Sequence, residues 1–162
     1  MIERFERFSY AISEISRHWH KLTADEMEKY GLKGPHCVYL LTMYRYPEGI
    51  TAAKLCEECG KDKADVSRMM AIMDKKGLVT RQSIHQNLYR GTFCLTEAGR
   101  KAAEHVRSRA SLAVELAGRD LSEENRRIFY DSLESITANL RMLSRHGLPE
   151  ESDGSVPGFE SP

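Results

Sequence analysis

Apolar side chains recur every seven residues at both ends of this chain, and no other feature constrains its fold as much. Near the N-terminus Phe5, Ile12 and Trp19 form one series, and Phe8, Ile15 and Leu22 a second, three residues out of step. Near the C-terminus Phe129, Ile136 and Leu143 repeat the spacing, with Leu133 and Leu140 as the second series. On a helix these positions make one narrow stripe. The spacing predicts a first helix over about 2–22. It predicts a last helix from Ser122, an N-cap followed by Glu123 and Glu124, to His146 before Gly147. Such a stripe needs a partner surface in water. Either the two helices pair within one chain, or a second copy of the chain covers them.

The middle of the chain changes period. Gly34 to Tyr46 reads as a helix carrying Val38, Leu40 and Leu41, broken by Pro47-Glu48-Gly49. Thr51 caps a short helix that ends near Cys59-Gly60. Asp62 caps another, with Val66, Met69, Met70 and Met73 on one face, which stops at Gly77 after Lys75 and Lys76. Leu78 to Arg81 reads as a strand, and a polar turn lies around His85-Gln86-Asn87. Tyr89, Gly91, Phe93 and Leu95 then alternate with Arg90, Thr92 and Cys94 as a second strand. Thr96 caps a long helix to about Ala117. The predicted fold is mainly α with a small β-hairpin wing. Residues 147–162 are polar, rich in Pro and Gly, and are predicted to be disordered.

The 162 residues carry 24 Lys and Arg against 24 Asp and Glu. That balance excludes a protein that coats nucleic acid over its whole surface. The charge is nevertheless segregated. Residues 60–90 hold 7 basic and 3 acidic side chains, whereas the stretches before and after are slightly acidic. This basic segment contains the pattern of a helix-turn-helix. Cys56 is the small residue where two helices cross, Gly60 the turn, and Val66, Met69, Met70 and Met73 the inner face. Lys63, Asp65, Ser67 and Arg68 fall on other faces. A second helix held proud of the surface enters the major groove of duplex DNA. Arg68 suits guanine edges or phosphate, and Lys63 and Ser67 suit phosphate. Asp65 either accepts from a cytosine amino group or serves as a helix N-terminal charge.

Thr51 to Gly99 resembles the MarR (multiple-antibiotic-resistance regulator) family of winged helix-turn-helix transcription regulators. The matching residues are Leu55-Cys56 and Gly60, Ala64-Asp65-Val66-Ser67-Arg68, Lys76-Gly77-Leu78-Val79-Thr80-Arg81 and Leu95-Thr96-Glu97-Ala98-Gly99. Helix order extends the resemblance over about 2–146. It implies a bacterial, cytoplasmic homodimer whose terminal helices interlock. Residues 1–33 and 100–146 would then be the dimerisation region and 34–99 the DNA-binding domain. It implies a regulator, expected to be a repressor on inverted-repeat operators, with Arg81 and Arg90 joining the DNA contacts. The sequence departs from the family pattern at three places: Lys61 replaces an apolar residue, Cys59 a common leucine, and Asn87-Leu88-Tyr89 the wing-tip Asp-x-Arg. Arg90 lies one place beyond the family's wing arginine, and takes its role only if a bulge, with Gly91 the candidate, restores the face.

Family members often bind small aromatic acids between the dimer helices and the DNA-binding lobe. Trp19, His20, Tyr39 and Met43 are the expected lining residues of such a pocket. Cys56-x-x-Cys59 lacks the second pair that a zinc site wants, and His105 is followed one turn on by Arg109 rather than a second histidine. The two cysteines read as buried and inert, the other possibility being a thiol-responsive regulator. No metal, cofactor or membrane span is expected, and no nucleophile elbow or phosphate-binding glycine loop supports an enzyme. A winged-helix protein-interaction module without specific DNA binding is the remaining alternative.

Overall fold

The computed structural model describes residues 3–84 and 87–149, with the backbone alone for 83, 84 and 87–90. The helices are α1 (Arg4–Glu28), a 3₁₀ turn (Gly34–His36), α2 (Cys37–Tyr44), α3 (Ala52–Cys59), α4 (Lys63–Lys75), α5 (Glu97–Ala117) and α6 (Glu123–His146). The strands are β1 (Ile50–Thr51), β2 (Val79–Ile84) and β3 (Asn87–Leu95). The chain falls into two compact units, one ending at Leu116 and one beginning at Ala117.

In the first unit, Met27, Leu40, Met43, Leu55, Val66, Met70, Met73, Val79, Ala102, Ala103 and Val106 belong to one buried core. Helix α1 outruns the expected 2–22, because Thr23 to Glu28 contain no breaker and the first glycine, Gly31 at φ 65°, comes only after them. This extension matters. Its Thr23 and Met27 are the buried residues of α1, whereas Phe5, Phe8, Ile12, Ile15 and Leu22 remain exposed. The apolar stripe thus lies on the part of α1 that does not enter the core.

Local chemistry sets the helix-turn-helix. The Thr51 hydroxyl accepts from the Lys54 amide at 3.2 Å and starts α3. Gly60, at φ 62°, ends it, and the Lys61 amide returns to the Cys56 carbonyl at 3.0 Å. Asp62 then caps α4 by accepting from the Asp65 amide at 2.8 Å. Val66, Met70 and Met73 turn into the core, and burial of each side chain is worth about 1.5–3 kcal/mol. Gly77 at φ 70° closes α4 with the same bond pattern, from the Leu78 amide to Met73.

The wing is more than a hairpin. Short β1 pairs with β3, which pairs with β2, all antiparallel in the order β1-β3-β2. Two residues are too few for an alternation to be read from sequence, so Ile50-Thr51 escaped the expectation of two strands. The β2–β3 register runs from Val79 opposite Leu95 to Gln82 opposite Thr92, then shifts before Ile84 opposite Asn87. Gly91 lies within the shifted stretch of β3. A Cβ there would stand 2.6 Å from the Gln82 carbonyl oxygen, so a glycine is needed for close backbone approach.

At the base of the wing, Thr96 explains why the motif around it follows the Lys-Gly-Leu turn. Its hydroxyl donates to the Gly77 carbonyl at 2.7 Å and accepts from the Gly99 amide at 3.0 Å. One side chain therefore caps α5 and ties it to the end of α4.

The second unit contains α6. Ser122 caps it by accepting from the Asn125 amide at 3.2 Å, and Gly147 stands at its C-terminal end with φ 81°. No residue of α6 is buried. The expected disorder beyond Gly147 concerns a stretch that, from Glu150 onward, lies outside the described residues.

Candidate nucleic-acid interface

Helix α4 is anchored by its apolar side, so its other side is fixed by periodicity. Lys63, Ala64, Ser67, Arg68, Ala71 and Ile72 are exposed. Ala64, Ser67 or Arg68, and Ala71 follow one another at helical spacing along the outward face. The two alanines keep that face low, which lets a groove approach the backbone while Arg68 and Lys63 reach beyond it. Ser67 also faces a hollow shared with Arg81 and Phe93 on the sheet. The Arg81 guanidinium lies 5.5 Å from the centre of the Phe93 ring, a cation–π arrangement. The structure thus brings Lys63, Ser67, Arg68 and Arg81 to α4 and the strand beside it. The Arg90 side chain lies outside the described residues.

Asp65 occupies a different position from these four. Its Oδ2 accepts from the Tyr39 hydroxyl at 2.5 Å, and its Oδ1 accepts from the Arg68 guanidinium at 3.1 Å. The Tyr39 bond, and then that from Arg68, hold its carboxyl below the usual carboxylate range. Burial, joined by the bond to Asp65, raises the Tyr39 hydroxyl well above its ordinary value. Both Asp65 oxygens are engaged inside the chain, where sequence alone left a base contact or a helix charge as its roles. The signal available was an acid in the first turn of a helix with a tyrosine elsewhere in the core pattern; nothing in the spacing joins them.

A second concavity, of about 870 Å³, lies between α1, α2 and the end of α3. Trp19 and His20 line it, together with Val38, Leu41, Arg45 and Arg107. Tyr39 and Met43 do not: both are 1% exposed and belong to the core. They sit on the face of α2 opposite Val38 and Leu41, because a helix alternates faces every two residues or so.

The cysteines are all free, with Cys37 and Cys94 buried and Cys56 and Cys59 half-buried. Cys59 lies 3.6 Å from the Thr42 hydroxyl oxygen, and burial pushes its thiol up. Burial does the same to Cys37. Among the described residues no group of three or more His, Cys, Asp or Glu is placed to hold a metal ion. His105 and Arg109 instead converge on Glu26 of α1, at 2.8 and 3.3 Å, with Lys29 at 2.6 Å. Glu26 is a hub that sequence spacing does not reveal, since its two α5 partners are about eighty residues away. No helix among the described residues is long and apolar enough to cross a membrane.

Residues 30–85 match the model of the MarR family. Over 85% of this chain and 99% of the other, the fold superposes on a MarR transcriptional regulator from Methanosarcina mazei Go1 with a TM-score of 0.75 at 25% identity. The chain has the winged-helix fold of solved MarR regulators, and its residues 30–85 are similar to that family. Two further solved MarR-fold proteins were crystallised with DNA. One is a putative MarR-family regulator from Listeria monocytogenes bound to a 26mer, with TM-score 0.76, 18% identity and coverage of 94% and 100%. The other is Staphylococcus aureus MepR, with TM-score 0.73, 21% identity and coverage of 82% and 97%. No curated protein sequence matches this chain.

Proposed function

We propose that this protein regulates transcription by binding duplex DNA as a homodimer, with α4 in the major groove. The observation that carries this reading is α4 itself. Its inner face is locked into the core by Val66, Met70 and Met73, and its exposed face presents Lys63, Ser67 and Arg68 between two alanines. It lies in residues 60–90, which hold 7 basic and 3 acidic side chains. The Listeria and Staphylococcus proteins of the same fold bind DNA, which supports the same use of the fold here. Arg81 and the wing's Arg90 would add contacts at the flank. The exposed stripes of α1 and α6 supply the surfaces for a second copy, and a two-fold dimer reads an inverted repeat.

Repression relieved by a small effector is the mode of action we favour. The groove beside Trp19 and His20 is lined by the cations Lys61 and Arg107, which suits a small aromatic acid. The raised Cys59 and Cys37 thiols favour this over a thiol-responsive regulator, because thiolate is the reactive form. The protein then works in the cytoplasm by binding, without cofactor or catalysis.

The test is titration of a selected operator across salt concentrations. Arg68→Ala should weaken binding by about 1–3 kcal/mol if Arg68 contacts a base, with relaxed preference at one position. If it contacts phosphate, all sequences weaken and the salt slope flattens by about one. Sequence-independent binding by the parent, or none, would transfer the fold to the protein-interaction reading.

A further inference from the structure

Two acids sit at the start of α4, Asp62 and Asp65. Asp62 is the cap. Asp65 adds a link that helix formation does not require: it joins Tyr39 of α2 to Arg68 of α4 through its two oxygens. Tyr39 is 1% exposed, whereas the side chains of Asp65 and Arg68 are 29% and 65% exposed. A line of hydrogen bonds therefore runs from the core to an arginine on the outward face.

An exposed pair three residues apart contributes little alone, because two flexible side chains must be ordered to make it. Asp65 is ordered already. Its amide is held by Asp62 and its carboxylate by Tyr39, so only Arg68 loses freedom when the pair forms. A guanidinium has five N–H donors, and the bond to Asp65 uses one. The others stay available to a base edge or a phosphate.

We propose that Tyr39 and Asp65 are positioning residues for DNA recognition: the buried Tyr39 hydroxyl fixes the Asp65 carboxylate, which fixes where Arg68 presents its guanidinium. The inference rests on the reading that α4 meets DNA. Two effects follow. A pre-placed arginine loses less freedom on meeting its matching base than a mobile one. The adjacent carboxylate also offsets part of Arg68's attraction to phosphate, which is the sequence-independent share of binding. Both effects favour the matching site over random duplex.

The readout is discrimination, the ratio of Kd for a random duplex to Kd for a selected operator, measured on one preparation by fluorescence anisotropy over a range of salt. Being a ratio, it is not moved by a change in the folded fraction. Tyr39→Phe alters neither charge nor the surface offered to DNA, so it isolates positioning; discrimination should fall about three- to tenfold. Asp65→Asn should lower it at least as much, while tightening random-duplex binding and steepening the salt slope by about one. Adding Tyr39→Phe to Asp65→Asn should change nothing further, because the tyrosine acts through the carboxylate. Parental discrimination in Tyr39→Phe, or additive losses in the double variant, would overturn the proposal. So would a changed preference at one base pair in Asp65→Asn with Tyr39→Phe unaffected, which would make Asp65 a base reader. Arg68→Ala separates the two levels. If the parent discriminates and Arg68→Ala does so equally, the positioning proposal fails and DNA reading stands. If the parent shows no sequence preference, it is the DNA reading that fails.

Discussion

Glu26 shows how much a single side chain can organise. It receives Lys29 from its own helix and His105 and Arg109 from α5, and those partners, Lys29 and His105 foremost, bring its pKa from 4.5 to about 2. A carboxyl more acidic in the folded than in the unfolded chain adds stability that is complete above its unfolded pKa and disappears as pH falls through the folded one. Glu26→Gln should therefore lower Tm at neutral pH. The gap to the parent should close between about 4.5 and 2. Thermal melts of both proteins over that range check this, and a gap of constant size would remove Glu26 from the acid response. Residue-level links of this kind were the least legible part of the sequence. Lys63, Ser67 and Arg68 could be placed outward because helical periodicity fixes a face. Glu26 with His105, Tyr39 with Asp65, and the inward turn of Tyr39 and Met43 depend on which helices cross, which periodicity does not specify.

At the scale of elements, caps and stops carried most of the reading. Thr51, Asp62 and Ser122 accept the amides expected of N-caps, and Gly60 and Gly77 take the left-handed turn that ends a helix. What failed were lengths set by tertiary packing: the last turns of α1, buried by Met27, and the two-residue β1. Gly99 links the two levels. A Cβ at this position in the first turn of α5 would overlap the Leu78 carbonyl oxygen, whereas one at Gly60 meets nothing within 4 Å. Gly60→Ala should cost only the strain of positive φ, about 1–2 kcal/mol. Gly99→Ala must push α5 away from the turn after α4, breaking the Thr96 bonds, and should cost more, at or above the 1–3 kcal/mol typical of overpacking. Urea denaturation of the two variants ranks them. Equal losses would mean that α5 shifts freely and that the turn does not depend on it.

For the whole molecule the question is what covers the terminal stripes. Phe5, Ile12 and Ile15 of α1 are exposed, as are Phe129, Ile136, Leu140 and Leu143 of α6, which buries no residue at all. Isolated helices of this length gain most of their stability from packing an amphipathic face, so these stripes mark contact surfaces. A second copy fits because each stripe has the seven-residue spacing of helix-on-helix seams, and because two-fold symmetry lets each stripe be used twice. We therefore expect light scattering at micromolar concentration to give twice the 18.5 kDa of one chain, and Tm to rise with concentration, as it does when association and folding are linked. Ile136→Lys should shift the mass toward one chain, since symmetry places the unpaired charge in the seam twice and desolvating it is costly. The same variant should lose far more affinity for an operator with two half-sites, about 34–36 Å apart, than for one half-site, because only the dimer holds both recognition helices at that spacing. A folded parent that scatters as a single chain, or an Ile136→Lys protein that stays dimeric and keeps its two-site affinity, would defeat this architecture and with it the inverted-repeat reading of the DNA.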